Sequence, residues 1–150
     1  MRDNKLDEEG QAIPTQYLTD LLNKKNAVNY NIILDNEIVG GLILNINKEK
    51  NQGELDLLFV NKNMHSKGIG TSTWKTVEKI YPEIELWITY TPYYDKRNIH
   101  FYMNVLGFHA VEFTNNYIQE KNNKGNNNNE GDDFFKFEKR IKKLINLIIN

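Results

Sequence analysis

The run His65-Ser66-Lys67-Gly68-Ile69-Gly70-Thr71-Ser72-Thr73 holds the residue types and spacing best suited to chemistry. It follows an apolar stretch, Leu55 to Val60, and leads into a helical pattern ending near Tyr81. A glycine-punctuated turn that opens a helix offers several backbone N–H groups to one anion. The helix adds the positive end of its dipole, so phosphate is the natural ligand. Glycine lets the chain approach that ligand without a Cβ in the way. Two usual nucleotide loops do not fit. A P-loop needs Gly-Lys-Ser/Thr, and here Lys67 precedes the glycines; a dinucleotide turn needs a third glycine where Thr73 stands. A plain turn into a helix, with Ser72 and Thr73 as caps, would use the same residues.

A second cluster lies about thirty positions on, from Asn98 through Phe101 and Tyr102 to Gly107 and Phe108. Asn98 and Tyr102 are four apart and share one helix face. Gly107 is placed to end that helix. A phenol with a reference pKa of ~10 stays protonated at neutral pH and can give up its proton to a stronger base. In the strand before the glycine run, Glu54 and Asp56 stand two apart, on one strand face.

Together the two segments resemble the GCN5-related N-acetyltransferase (GNAT) superfamily over roughly Val28 to Ile118. Its phosphate motif, Arg/Gln-x-x-Gly-x-Gly/Ala, is similar to His65-Ser66-Lys67-Gly68-Ile69-Gly70, with His65 in place of the usual Arg or Gln. Its later motif, Asn-x-x-Phe-Tyr with a following Gly-Phe, is similar to Asn98, Phe101, Tyr102, Gly107 and Phe108. The resemblance implies acetyl-CoA as co-substrate. Leu58, Phe59 and Val60 would then offer a strand edge to pantetheine. The backbone of Lys67, Gly68, Ile69, Gly70 and Thr71 would hold the pyrophosphate. His65, Ser66 and Lys67 would add donors or charge, and Asn98 would contact the cofactor arm. Tyr102 becomes the proton donor to the leaving thiolate. A backbone N–H near Phe59 or Val60 becomes the oxyanion donor. Glu54, eleven positions before His65, matches the spacing of the catalytic Glu in the histone acetyltransferase branch and becomes the general base, directly or through water.

That chemistry needs a base. A free alkylamine has a pKa near ~10.4, so about one in a thousand is neutral at pH 7. Asp56, with Tyr93 and Tyr94 in the segment Thr91 to Arg97, is a candidate for binding the acceptor. The implied reaction is acetyl transfer to a primary amine of a small molecule or a protein. A non-catalytic CoA-binding or protein-interaction module on the same scaffold, and transfer of a longer acyl group or to an alcohol, are the other readings.

The elements that must position these residues can be read from periodicity. The pattern predicts a helix over Ile13 to Asn26 with Tyr17, Leu18, Leu21 and Leu22 on one face. A hairpin follows, Tyr30 to Leu34 and Ile38 to Ile46, then a strand from Gly53 to Val60. Next come a helix from Thr73 to Ile80, a strand from Ile84 to Tyr90, a helix from Lys96 to Leu106, and strands Phe108 to Ile118 and Phe134 to Arg140. The expected fold is α/β (α+β): a mixed, mainly antiparallel central sheet flanked by helices, as in the GNAT acyltransferase fold. Too few residues precede Tyr30 for the strand and helix that usually begin that fold, so the first strand is expected to be missing or replaced. Residues 1–12 read as flexible, 120–133 as an Asn-rich loop, and 142–150 as an extra apolar tail suited to packing or to a homodimer contact.

Composition bounds the rest. A chain of 150 residues and 17.6 kDa reads as a single domain. A net charge of −1 gives no electrostatic case for nucleic acid. Without cysteine there are no disulfides and no thiolate ligands, and His100 and His109 lack metal-ligand spacing, so no metal is expected. No apolar run nears the ~18–20 residues of a membrane span, and the polar start does not read as a signal peptide. A cytoplasmic protein with no membrane partner is expected.

Overall fold

Residues 15–114 and 133–141 are described by the computed structural model, the side chains of 65–67 excepted. The lead 1–12, the Asn-rich loop through residue 132, the end of its preceding strand and the tail 142–150 lie outside the described residues. The chain runs α1 (Thr15–Leu22), β1 (Ala27–Leu34), β2 (Glu37–Asn47), β3 (Gln52–Val60), a 3-10 turn (Lys62–Lys67), α2 (Ile69–Ile80), β4 (Leu86–Pro92), α3 (Lys96–His100), a π-helical turn (Phe101–Val105), β5 (His109–Thr114) and β6 (Phe134–Arg140). The strands form one sheet in the order β1-β2-β3-β4-β6-β5. Every neighbouring pair is antiparallel except β3 and β4, which are parallel. A parallel pair needs a crossover, and α2 supplies it. Among the described residues β1 and β5 are the two edge strands.

The core lies between the sheet and α2. Trp74 and Val77 of α2 bury themselves on Leu42, Leu44, Leu55, Leu58 and Trp87. Trp74 meets Trp87 edge-on at a ring separation of 5.0 Å, and Phe108 at 5.4 Å. Edge-on and tilted contacts of this kind add about 0.5–1.5 kcal/mol each beyond area burial. Leu55 and Leu58 are three apart yet face the same core. The cause is a bulge: Leu44 pairs with Leu55 and Ile43 with Leu57, so Asp56 is an extra residue in β3.

Several boundaries differ from the sequence reading. Helix α2 begins at Ile69, four residues before Thr73. Gly68, with φ at +67°, ends the 3-10 turn and launches the helix, and Ile69 is anchored in a small cluster with Val39 and Val60. The predicted helix Lys96–Leu106 is α-helical only to His100. From there Leu106 N–H reaches back five residues to the Phe101 carbonyl at 2.9 Å. Phe108 N–H bonds the Tyr102 carbonyl at 2.8 Å across Gly107, whose φ is +84°. Strand β4 begins at Leu86, because the Glu85 N–H is taken by the Asn51 carbonyl at 2.8 Å. In α1 only Leu21 is buried, and the helix gives way to a turn at Asn23.

Candidate active site

The site is made by the way β3 and β4 part. Their ladder covers Gln52 to Leu55 against Leu86 to Thr89 and ends there. Thr89 Oγ1 donates to the Leu55 carbonyl at 2.8 Å and locks that last pair. Beyond it β3 stays with β2, as Leu58, Phe59 and Val60 pair with Leu42, Gly41 and Gly40. Meanwhile β4 stays with β6 through Thr91 and Pro92. The bulge at Asp56 bends β3 away immediately after the last pair, and a wedge-shaped gap opens between the strands. Thr91 is 1% exposed, and its hydroxyl oxygen, past the point of divergence, has no hydrogen-bond partner.

At the wide end of the gap stands the start of α2. The first-turn N–H groups of an α-helix have no partner within the helix, and here the first intrahelical bond runs from Ser72 N–H to the Gly68 carbonyl at 3.0 Å. A Cβ on Gly68 would meet no atom within 4 Å, so the turn faces open space. Gly70 is different. A Cβ there would lie 2.7 Å from Phe101 Cζ, so its hydrogen is required by a packed ring. Ile69, Gly70 and Thr71, expected in a loop, form the first helical turn instead.

At the narrow end two groups face each other across the sheet. On the α2 face, Tyr102 is buried and packs against Phe108 and Phe137, the latter with ring centroids 5.9 Å apart. Phe137 is the β6 partner of Thr89, so Tyr102 stacks on the strand next to the one where the gap begins. On the opposite face lie Glu54, Asp56 and, from the α1 side, Tyr17 and Lys24. Asp56 is 2% exposed at its side chain; its Oδ1 lies 3.5 Å from Lys24 Nζ, and its Oδ2 has no hydrogen-bond partner. Burial, and then the negative charge of Glu54, push the Asp56 carboxyl up to about 7, against the pull of Lys24. Tyr17 keeps 47% of its surface exposed, but partial desolvation of its phenol, and then the charges of Asp56 and Glu54, raise it.

The structure therefore brings Glu54 and Asp56 together at one end of the gap, with Tyr102 on the other face over Phe137 of the neighbouring β6, and puts Gly68 to Thr71 at the other end. Leu58, Phe59 and Val60 form the wall between them. Asn98 is turned inward: its backbone N–H and its side-chain nitrogen both donate to Asp95, at 3.0 and 2.9 Å. Asp95 thus caps α3 and holds the residue expected on the cofactor. Tyr93 and Tyr94 are exposed, stack edge-on, and follow the far end of β4. They stand four and five residues past Thr89, just beyond the end of β4 and roughly 13 Å or more from Thr89 along the chain, apart from the carboxylates. Tyr17 and Lys24 were missed by sequence reasoning. Neither belongs to a motif, and only their approach to Asp56 marks them. An apolar groove of about 360 Å³ between β1 and α2 includes only Ile69 among the predicted site residues and is separate from this gap.

A family model described as the acetyltransferase (GNAT) family matches residues 2–108. The chain belongs to that family. It is 41% identical over 142 residues to the uncharacterized protein YrkN of Bacillus subtilis, covering 91% of this chain and 77% of that one. A Bacillus subtilis acetyltransferase solved with CoA superposes with a TM-score of 0.66 at 14% identity, covering 86% of each chain. A GNAT acetyltransferase from Elizabethkingia anophelis solved with acetyl-CoA gives 0.66 at 18% identity, over 93% of this chain and all of that one. The mixed six-stranded sheet is thus a GNAT sheet, with its parallel pair where the strands diverge. In this GNAT chain the Thr91 hydroxyl past the divergence has no partner, and the glycine turn at the wide end of the gap faces open space.

Proposed function

We propose that the protein transfers an acetyl group from acetyl-CoA to a primary amine at the narrow end of the β3–β4 gap. The observation that carries this reading is the end of the parallel ladder at Leu55 and Thr89, with a buried carboxylate at the bulge beside it and a phenol on the opposite face. The gap takes the pantetheine arm along Leu58 to Val60. The turn Lys67 to Thr71 takes the pyrophosphate on its N–H groups. The Glu54–Asp56 pair removes the proton from the amine. With its carboxyl near 7, Asp56 is the member poised to hold a proton at neutral pH and release it again. The amine nitrogen bonds to the acetyl carbon, the carbon–sulfur bond breaks, and Tyr102 protonates the departing thiolate.

Titration calorimetry with acetyl-CoA, with CoA and ATP beside it, tests the binding half. Micromolar acetyl-CoA affinity with none for ATP is expected; equal affinity for both would remove the pantetheine gap from the reading. For the chemical half, Tyr102→Phe should cut thiol release with n-butylamine as acceptor by ~10²–10⁴-fold at nearly unchanged acetyl-CoA affinity. Unchanged turnover would strip Tyr102 of its role.

A further inference from the structure

We propose that Lys24 is a self-acetylation site: its side-chain amine stands where an acceptor amine must stand and takes the acetyl group from the acetyl-CoA bound to the same chain. The inference rests on the reading above and adds to it a defined acceptor.

Three observations place Lys24 there. Its Nζ lies 3.5 Å from Asp56 Oδ1, a carboxylate buried at the bulge where β3 and β4 part. Its backbone is fixed on both sides of the turn between α1 and β1. The Lys24 N–H donates to the Leu21 carbonyl at 3.3 Å, and the Lys24 carbonyl accepts from Ala27 N–H at 3.1 Å. The turn is itself tied to the sheet, because Ile46 N–H donates to the Asn26 carbonyl at 3.1 Å. The amine is therefore delivered from an anchored turn, and intramolecular delivery to an aligned partner replaces the encounter of two molecules. The Lys24 side chain is also 41% exposed, which leaves its end room to move between Asp56 and the gap and to withdraw afterwards.

The step balances with acetyl-CoA as the only co-reactant. The Lys24 ammonium gives a proton to the Asp56 carboxylate. The freed nitrogen bonds to the acetyl carbon, the carbon–sulfur bond breaks, and its electron pair leaves on sulfur, which takes a proton from Tyr102. The nitrogen then gives up its second proton, which reprotonates the Tyr102 phenolate through solvent, so the one net proton released stays on Asp56. The products are an amide on Lys24 and free CoA. The modified side chain carries no charge, so Asp56 and Glu54 lose the cation that now offsets them.

Lys25 is the internal control. It is the next residue, it is exposed, and it belongs to the same turn, so chemical acetylation by the reagent in solution reaches it as readily. The full-length protein is incubated with acetyl-CoA alone, and the peptide carrying Lys24 and Lys25 is followed by mass spectrometry, with acetyl-CoA affinity and n-butylamine turnover measured on the same preparation. The expected result is at least tenfold faster acetylation of Lys24 than of Lys25, at a fractional rate independent of protein concentration. A Lys24→Arg variant should lose that product while still binding acetyl-CoA. Equal modification of the two lysines, or a rate rising in proportion to protein concentration, would overturn the inference. If n-butylamine is turned over and Lys24 stays unmodified, self-acetylation alone is wrong. If acetyl-CoA is neither bound nor consumed, the catalytic reading falls with it.

Discussion

The two ends of the gap between β3 and β4 are built from different materials. The wide end is main chain: a left-handed Gly68 and the first turn of α2. The narrow end is side chain: the buried Asp56, its neighbour Glu54, and, on the other face, Tyr102 over Phe137 of the adjoining strand. A main-chain site is indifferent to most substitutions nearby and intolerant of any atom that fills it. A site of buried side chains is the reverse, since backbone shape survives substitution while chemistry does not. His65, which departs from the Arg or Gln of the motif it resembles, is the kind of change a main-chain site would tolerate.

Gly70→Asp should give the largest effect. It places a Cβ 2.7 Å from Phe101 and a negative charge at the helix start, so acetyl-CoA binding should become undetectable by calorimetry. Retained micromolar binding would show that the wide end is not the phosphate site. Asp56→Asn should lower thiol release with n-butylamine by ~10²-fold, the lower end of general acid–base effects, with acetyl-CoA affinity within about twofold. Parallel loss of affinity and turnover would mean that the two ends are not separable.

The next effect is on stability. A carboxyl raised in the folded state stabilises the fold at pH below its unfolded value near 3.8, and that contribution is lost as pH rises through about 7. Wild type should therefore lose thermal stability between pH 4 and pH 8 by an amount missing from Asp56→Asn. Identical melting profiles would contradict the burial of that charge. Thr89→Val should cost about 0.5–1.5 kcal/mol in denaturant unfolding, the worth of one hydrogen bond. His65→Ala should change acetyl-CoA affinity least, by no more than about threefold. A larger loss would show that side chains carry the wide end after all.

The same contrast explains what could be read in advance. The wide end was legible because a turn that must pack closely leaves glycines in the sequence, although Gly70 answers to the Phe101 ring rather than to a ligand alone. The succession of elements along the chain was legible from period, and the end of the Asn98-to-Phe108 segment from the Gly107 stop. The helix start was not. Ile69 is held by Val39 and Val60, residues distant in sequence, and a polar cap at Ser72 or Thr73 was a false lead. Asp56 looked like the strand partner of Glu54 at an ordinary two-residue spacing. Nothing local announces that it is the inserted residue of a bulge, because a bulge is defined by the register of the opposite strand. Lys24 was invisible for the same reason, since its meaning lies in a contact across thirty-two positions.

The short parallel ladder has a mechanical consequence. Strands β1 to β3 and β4 to β6 form two leaves, each with long antiparallel pairings, joined in the sheet by four residue pairs and the Thr89 bond. Opening is cheapest where backbone hydrogen bonds are fewest, so the seam between the leaves should exchange its amide hydrogens before either leaf does. A molecule lying along the seam touches both. At a hundred times its dissociation constant it would add ~2.7 kcal/mol to the closed form. The amides of Leu55 and Thr89 would then slow together, and the two leaves would unfold as one.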